Sequence, residues 1–207
     1  MISLFLNTSS NYLQIACLND EEVLSEEYIK LDKDLSKMTL FHISNMLKEL
    51  GIKPNMIDKI ISVKGPGSYT GLRVGVTIAK TFAYGLNKEL YSLSSLFVMA
   101  SSASDMDYVI PLIDARRDYV FAGIYDKDMN QVLKDTYIKK TDLINKVLSL
   151  KGSYKYIATE EITDFDVNIY KPNIKKTISF KKELKEDVHS FVPNYLKQTE
   201  AEENLSL

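Results

Sequence analysis

The 207-residue sequence has a single cysteine, Cys17, so it cannot form an internal disulfide, and that scarcity fits a reducing compartment. It has two histidines, His42 and His189, far apart in the chain. Four residues after His42, where a second imidazole would share its helix face, stands Met46, a poor ligand for hard or borderline metals. A histidine-pair metal centre is therefore not expected, and neither is any cofactor. No apolar run approaches the roughly 20 residues of a membrane span. The first residues, Met-Ile-Ser-Leu-Phe-Leu-Asn, lack the basic flank of a secretion signal. The expectation is a cytoplasmic protein with no membrane partner. The net charge of −2 supplies no global field toward nucleic acid. What is present is 45% hydrophobic residues, enough for one globular unit or two small lobes.

Apolar runs at 2–6, 13–18 and 23–31, broken by the polar turns 7–11 and 19–20, predict a three-stranded meander. Met38, Ile43, Met46, Leu47 and Leu50 recur at helical spacing, predicting a helix over 36–50 that Gly51 and Pro54 stop. A β-branched strand over 59–63, a helix over 70–86 and a strand over 90–93 follow. A further helix, capped by Ser94 or Ser95, runs to about residue 103. The order β-β-β-α-β-α-β-α predicts an α/β layer architecture with a mixed sheet. After a polar boundary near 104–107 the pattern gives strands at 109–113, 119–125, 131–138 and 154–158, with a helix from Thr141 as N-cap to Leu150. Residues 160–184 carry little signal. The division expected is an N-terminal lobe, 1–104, and a smaller C-terminal lobe, 105–207.

Glycine and proline are scarce, eight and five in all, yet four glycines and one proline fall within residues 64–75, Lys-Gly-Pro-Gly-Ser-Tyr-Thr-Gly-Leu-Arg-Val-Gly. A Walker loop would need G-x-x-x-x-G-K-[ST], and no register fits. The dinucleotide fingerprint G-x-G-x-x-G fails too, because Thr70 stands at its third glycine. The spacing follows another logic. Gly67, Gly71 and Gly75 are four apart, with Ala79 and Ala83 continuing the series, and residues four apart stack on successive helical turns. Two glycines inside a helix cost about 1 kcal/mol each relative to alanine. The return is a ridge almost without side chains that lets a sheet or another helix come close. Two readings stay open: the ridge packs on the chain's own sheet, or part of the helix, flanked by Leu72, Val76 and Phe82, faces a partner protein. Gly65, Pro66, Gly67 and Ser68 make the sharp turn into it, with Thr70 as the expected N-cap. Free amides at such a helix start can also hold an anion.

The segment Gly65-Pro-Gly-Ser-Tyr-Thr-Gly-Leu-Arg-Val-Gly75, through Arg73, closely resembles the signature of the TsaB family, also called YeaZ. Three further segments resemble that family in the same order: Leu4-Phe-Leu-Asn-Thr-Ser9, Pro111-Leu-Ile-Asp-Ala-Arg-Arg117 with Tyr119-Val120, and Pro193-Asn-Tyr-Leu-Lys197. The glycine segment is the specific one. The resemblance implies an actin-like fold of the ASKHA, ribonuclease H-like class, with two lobes of mixed sheet flanked by helices and the second lobe reduced. It implies a non-catalytic subunit of the machine that places a threonylcarbamoyl group on the adenosine beside the anticodon of tRNA. The implied partners are a TsaD-like catalytic subunit, a TsaE-like ATPase reached through the complex, tRNA indirectly, and a second copy of the chain. Docking through N-terminal-lobe helices would place Met38, His42, Met46, Leu72, Gly75, Ala79 and Ala83 at the partner interface.

The residues themselves offer little chemistry. Actin-like kinases resemble one another in a carboxylate after the first strand, where this chain has Asn7, a weaker Mg²⁺ ligand. Cys17 sits among apolar strand residues, and Ser68 has no histidine beside it in sequence. Asp114, Arg116 and Arg117 are read as a structural ion pair. Lysines 171, 175, 176, 181, 182 and 185 form a basic stretch, either a solvated face or a phosphate contact. The alternative to a scaffold is a free-standing actin-like ATPase or small-molecule kinase using the cleft between lobes.

Overall fold

The computed structural model describes residues 1–31, 34–103 and 105–197. Strands β1 (Ile2–Asn7), β2 (Tyr12–Asn19) and β3 (Glu22–Lys30) form the meander. Helix α1 (Leu35–Glu49) leads to β4 (Lys59–Val63), which lies parallel to β1. Helix α2 (Tyr69–Leu86) then returns the chain to β5 (Glu89–Leu93), parallel to β4, and α3 (Ser95–Ser101) follows. The second half repeats the plan. It comprises β6 (Tyr108–Asp114), β7 (Tyr119–Asp126), β8 (Gln131–Lys139), α4 (Lys140–Leu148), β9 (Tyr154–Ala158) and β10 (Val167–Ile169). Helix α5 (Ile174–Ser179) and β11 (Leu184–Glu186) come last, with β11 antiparallel to β5.

The spatial orders reveal the repeat. The first sheet runs β11-β5-β4-β1-β2-β3 and the second β10-β9-β6-β7-β8. Without β11, the two are one topology used twice: a meander whose first strand takes a parallel neighbour from after a helix, and a second parallel strand outside that. The second copy has no helix between β9 and β10, where the first has α2. Two mixed sheets flanked by helices, the second pared down, make the actin-like α/β class.

The central strands β1, β2 and β4 of the first sheet are buried on both faces, which explains their near-continuous apolar runs. Leu4, Leu6, Ile60 and Leu90 point to α1 and α2, where Ile43, Met46, Leu47, Val76, Ala79 and Ala83 cover them. Phe5, Ile61 and Val63 point the other way, into a core shared with α3, α5 and the second sheet through Leu96, Phe97, Ile174, Val109 and Tyr125. A third cluster holds α4 to the far face of the second sheet through Leu143 and Val147.

Two caps differ from expectation. Ser68, not Thr70, caps α2: its hydroxyl accepts from the Gly71 amide at 3.2 Å, and the helix starts one residue earlier, at Tyr69. Thr141 lies inside the first turn of α4, with Lys139 at the cap position and no side-chain cap bond there. Both helices begin earlier because the preceding backbone is already fixed, by the contact of Ser68 with the turn after β1 and by the β8 ladder. Of the two serines at the start of α3, Ser94 caps it and Ser95, its first residue, is buried with its hydroxyl donating to the Pro66 carbonyl. The weak stretch 160–184 contains β10 and α5, both too short to show a period.

Candidate functional site

The glycine segment sits against the turn after β1, and the contact is backbone on backbone. The Ser68 amide donates to the Ser9 carbonyl at 2.7 Å, and the Thr8 hydroxyl donates to the Gly71 carbonyl at 2.7 Å. A Cβ on Gly67 would stand 2.1 Å from the Ser9 carbonyl oxygen, one on Gly71 2.0 Å from that of Thr8, and one on Gly75 2.3 Å from Thr8 Oγ1. Gly65 takes a left-handed φ of +119°, and a Cβ there would meet the Asn194 carbonyl at 2.7 Å. Glycine is thus required by close approach within the chain. Several amides of the turn are already spent: Ser68 on Ser9, Gly71 on the Ser68 hydroxyl, Leu72 on the Ser68 carbonyl. That spending leaves a poor nest for phosphate, which binds through free amides.

The open choice over the ridge resolves toward the chain's own sheet. Leu72, Gly75, Ala79 and Ala83 are buried on the inward face of α2, and Met46 on that of α1. These five of the residues expected at a partner interface are thus buried within the chain's own fold. Met38 and His42 are half-buried, and His42 Nδ1 lies 2.7 Å from the Glu27 carboxylate on β3. The outward residues of the two neighbouring helices are others. Leu40 is 45% exposed, Phe41 53% and Tyr84 70%. Helical periodicity puts Phe41 and Tyr84 away from the core stripe and Leu40 at its flank, so their apolar character is the signal that a search for the core stripe passes over.

A segment that sequence reasoning placed only by resemblance completes the loop. Residues 187–197 run across α2 as a strap. Lys80 Nζ donates to the His189 and Phe191 carbonyls at 3.0 and 3.1 Å, and Phe191 is buried in the core under α2. The Asn194 amide donates to the Lys64 carbonyl at 2.7 Å. Arg73 donates to the Tyr195 hydroxyl at 3.1 Å and lies 4.1 Å over the Tyr69 ring, which packs beside Tyr195. The exposed arginine of the glycine segment therefore holds the strap. Thr70 is exposed at the start of α2.

Between the sheets lies an open cleft of about 620 Å³, lined among others by Asn7, Ser9, Ser68, Asp114, Arg116 and Glu160. Asn7 uses its amide in both directions, accepting from the Ser9 amide at 3.0 Å and hydroxyl at 2.7 Å while donating to Gln14 at 3.3 Å. A carboxylate there could make the first two bonds but not the third. The Asp114 carboxylate accepts from the Arg116 backbone amide at 3.3 Å, a turn contact. Cys17 is fully buried and its thiol is pushed up by desolvation. Among the described residues no group of three His, Cys, Asp or Glu side chains is placed to hold a metal ion. No helix of the described residues is long and apolar enough to cross a membrane. The lysine stretch is partly compensated, since Lys181 pairs with Glu21 at 3.0 Å and Lys185 pairs with Glu89.

A second polar cluster joins the halves. Asp135 on β8 accepts from the Ser94 hydroxyl at the start of α3, from the Tyr125 hydroxyl at 2.5 Å and from Gln131 at 3.0 Å. Desolvation pushes its carboxyl above the ordinary range, against the pull of the three donors. Nothing in the sequence marks this residue, because its partners converge from three elements.

Comparison with known proteins bears on this geometry. The family model described as "TsaD: tRNA N6-adenosine threonylcarbamoyltransferase" matches residues 29–203. The Bacillus subtilis tRNA threonylcarbamoyladenosine biosynthesis protein TsaB is 30% identical over 98% of this chain and 96% of its own length. The Escherichia coli protein of the same name is 27% identical over 75% of this chain and 70% of its own. A crystal structure of an uncharacterized Pseudomonas aeruginosa protein, described as similar to peptidase YeaZ, superposes with a TM-score of 0.76 at 19% identity. That superposition covers 95% of this chain and 99% of that one, and it shows the shared fold. With near full-length identity at this level to a TsaB protein, the chain belongs to the TsaB (YeaZ) family.

Proposed function

We propose that this chain acts in tRNA threonylcarbamoyladenosine biosynthesis as a non-catalytic scaffold, docking a TsaD-like catalytic subunit with the outward face of α1 and α2. The observation that carries the reading is the exposure of Leu40 and Phe41 on α1, beside a helix whose inner face is locked by glycine contacts. Exposed large apolar side chains on paired, rigid helices mark a protein-binding face. The family and the names of its members agree with the pathway. The same face suits self-association when the partner is absent. A TsaE-like ATPase joins through the catalytic subunit, and the setting is the cytoplasm.

The test is co-purification of the tagged chain with the TsaD-like protein of its host, comparing the natural chain with Phe41→Glu. Phe41 is 53% exposed, so the variant should fold normally. Loss of a central aromatic anchor typically costs about 2 kcal/mol or more, about a 30-fold weaker complex. Recovery of an undiminished complex by Phe41→Glu would refute this docking face. Recovery of no partner by the natural chain, with Mg-ATP turnover in the eluate, would favour an enzyme using the cleft between the sheets.

A further inference from the structure

We infer that the inward-turned face of the second sheet, at β7 and β8, is a direct contact surface for single-stranded RNA. The proposal rests on the tRNA-pathway reading above and adds a site on the opposite half of the molecule from α1 and α2. Alternation in β7 and β8 puts Tyr119, Phe121, Tyr137 and Lys139 on one face. In the register Tyr119 stands opposite Lys139, and Phe121 opposite Tyr137. The tyrosine rings of 119 and 137 stack at 4.5 Å with an interplanar angle of 9°, and Phe121 leans on Tyr137 at 5.6 Å. The three rings are half-buried: Tyr137 is on the edge strand β8, Tyr119 and Phe121 are on β7 beside it, and Phe121 also packs against the core shared with the first sheet. Lys197, delivered by the strap, lies 5.3 Å over the Tyr137 ring, while Lys139 and Arg116 are exposed around the column.

Ordered aromatic rings flanked by cations are what a single strand of RNA needs. Bases stack on the rings and phosphates meet the lysines. The acid on this face does not oppose that charge, because Asp135 faces Ser94, Tyr125 and Gln131. Asp118 and Asp114 lie at the margin, in and before the turn between β6 and β7. Among the described residues Lys197 is engaged by the Tyr137 ring and by no carboxylate. The contrast is with the sequence-level lysine stretch, where Lys181 and Lys185 are taken by Glu21 and Glu89. The cations useful to RNA are those that tertiary folding gathers from β8 and the strap, far apart in sequence.

The experiment is fluorescence anisotropy of a fluorescein-labelled anticodon stem-loop RNA, titrated with the chain alone and with its purified TsaD-like complex at several salt concentrations. Removing both charges in Lys139→Gln/Lys197→Gln should weaken binding and lower the salt slope by about 1.4, since each single-strand phosphate contact contributes about 0.7. Tyr137→Leu should weaken binding at least about fivefold, the lower bound for one stacked base. Tyr137→Phe, which keeps the ring, should bind as the natural chain and serves as the folding control. Natural RNA affinity and salt slope in both the double-Gln and the Leu variant would overturn the site. So would a Tyr137→Leu variant that loses the protein partner but not RNA, which would make the face a protein contact. Failure to recover any TsaD-like partner would sink the scaffold reading alone, since titration of the free chain still decides the RNA face.

Discussion

Two glycines of α2 should respond in opposite directions to the same substitution. Gly85, in the last turn, has nothing within 4 Å of the place a Cβ would take and lies in ordinary helical backbone. Gly85→Ala should therefore gain the helix propensity that glycine forfeits, about 1 kcal/mol at most. For a chain of this size that raises Tm by about 2–4 °C. Gly71 has the same propensity to gain but no room. Its Cβ would sit 2.0 Å from the Thr8 carbonyl oxygen, a backbone atom in a buried turn. Relief requires the helix and turn to move apart. That movement breaks the Thr8 hydroxyl bond to the Gly71 carbonyl and the Ser68 amide bond to the Ser9 carbonyl, each 2.7 Å now. Two such bonds contribute about 1 kcal/mol each, and overpacking a tight site costs about 1–3 kcal/mol. Against a propensity gain of about 1 kcal/mol, Gly71→Ala should lose about 2–4 kcal/mol net and lower Tm by several degrees. Thermal unfolding of the two variants beside the natural chain, followed by circular dichroism, measures both. A Gly71→Ala protein as stable as Gly85→Ala would refute the close-approach account of the glycine segment.

Asp135 gives a pH prediction. Its carboxyl is held above the ordinary value of 3.8 in the folded chain, so folding favours the protonated form. Its contribution to stability is full below 3.8 and is lost as pH rises through the raised folded value. The difference in Tm between the natural chain and Asp135→Asn should therefore change across the mildly acidic range and flatten above it; a difference that stays constant from acid to neutral pH would contradict the desolvated setting. Cys17, fully buried with its thiol raised by burial, should resist a soluble thiol reagent at neutral pH and react once the chain is unfolded in denaturant. Prompt stoichiometric labelling of the native chain would show that strand β2 opens.

Much of the first sheet was legible in sequence because its signals are local. The meander turns are polar and short, β4 is a β-branched run bounded by polar residues, and α2 carries a clean period from Leu72 to Ala83. The glycine spacing pointed to close packing, and the structure supplies the surface it packs against, Thr8 and Ser9. The short elements β10, α5 and β11 escaped because three to six residues hold less than two turns or pleats of pattern. The partner interface could not be read from the ridge for a related reason. A small-residue ridge looks the same whether a sheet of the same chain or another protein covers it, and here Leu72, Gly75, Ala79 and Ala83 are covered from within.

Residue type and near-neighbour spacing were enough for the class of fold, the place of the sharp turn before α2 and the family resemblance, since each of these is a local property of the chain. What joins distant positions came only with folding. One topology is used twice, Arg73 holds Tyr195, Asp135 binds Ser94, and Lys197 covers Tyr137. Contacts between residues so far apart in the chain leave no periodic trace, because only the packing of whole layers brings such side chains within a few ångströms.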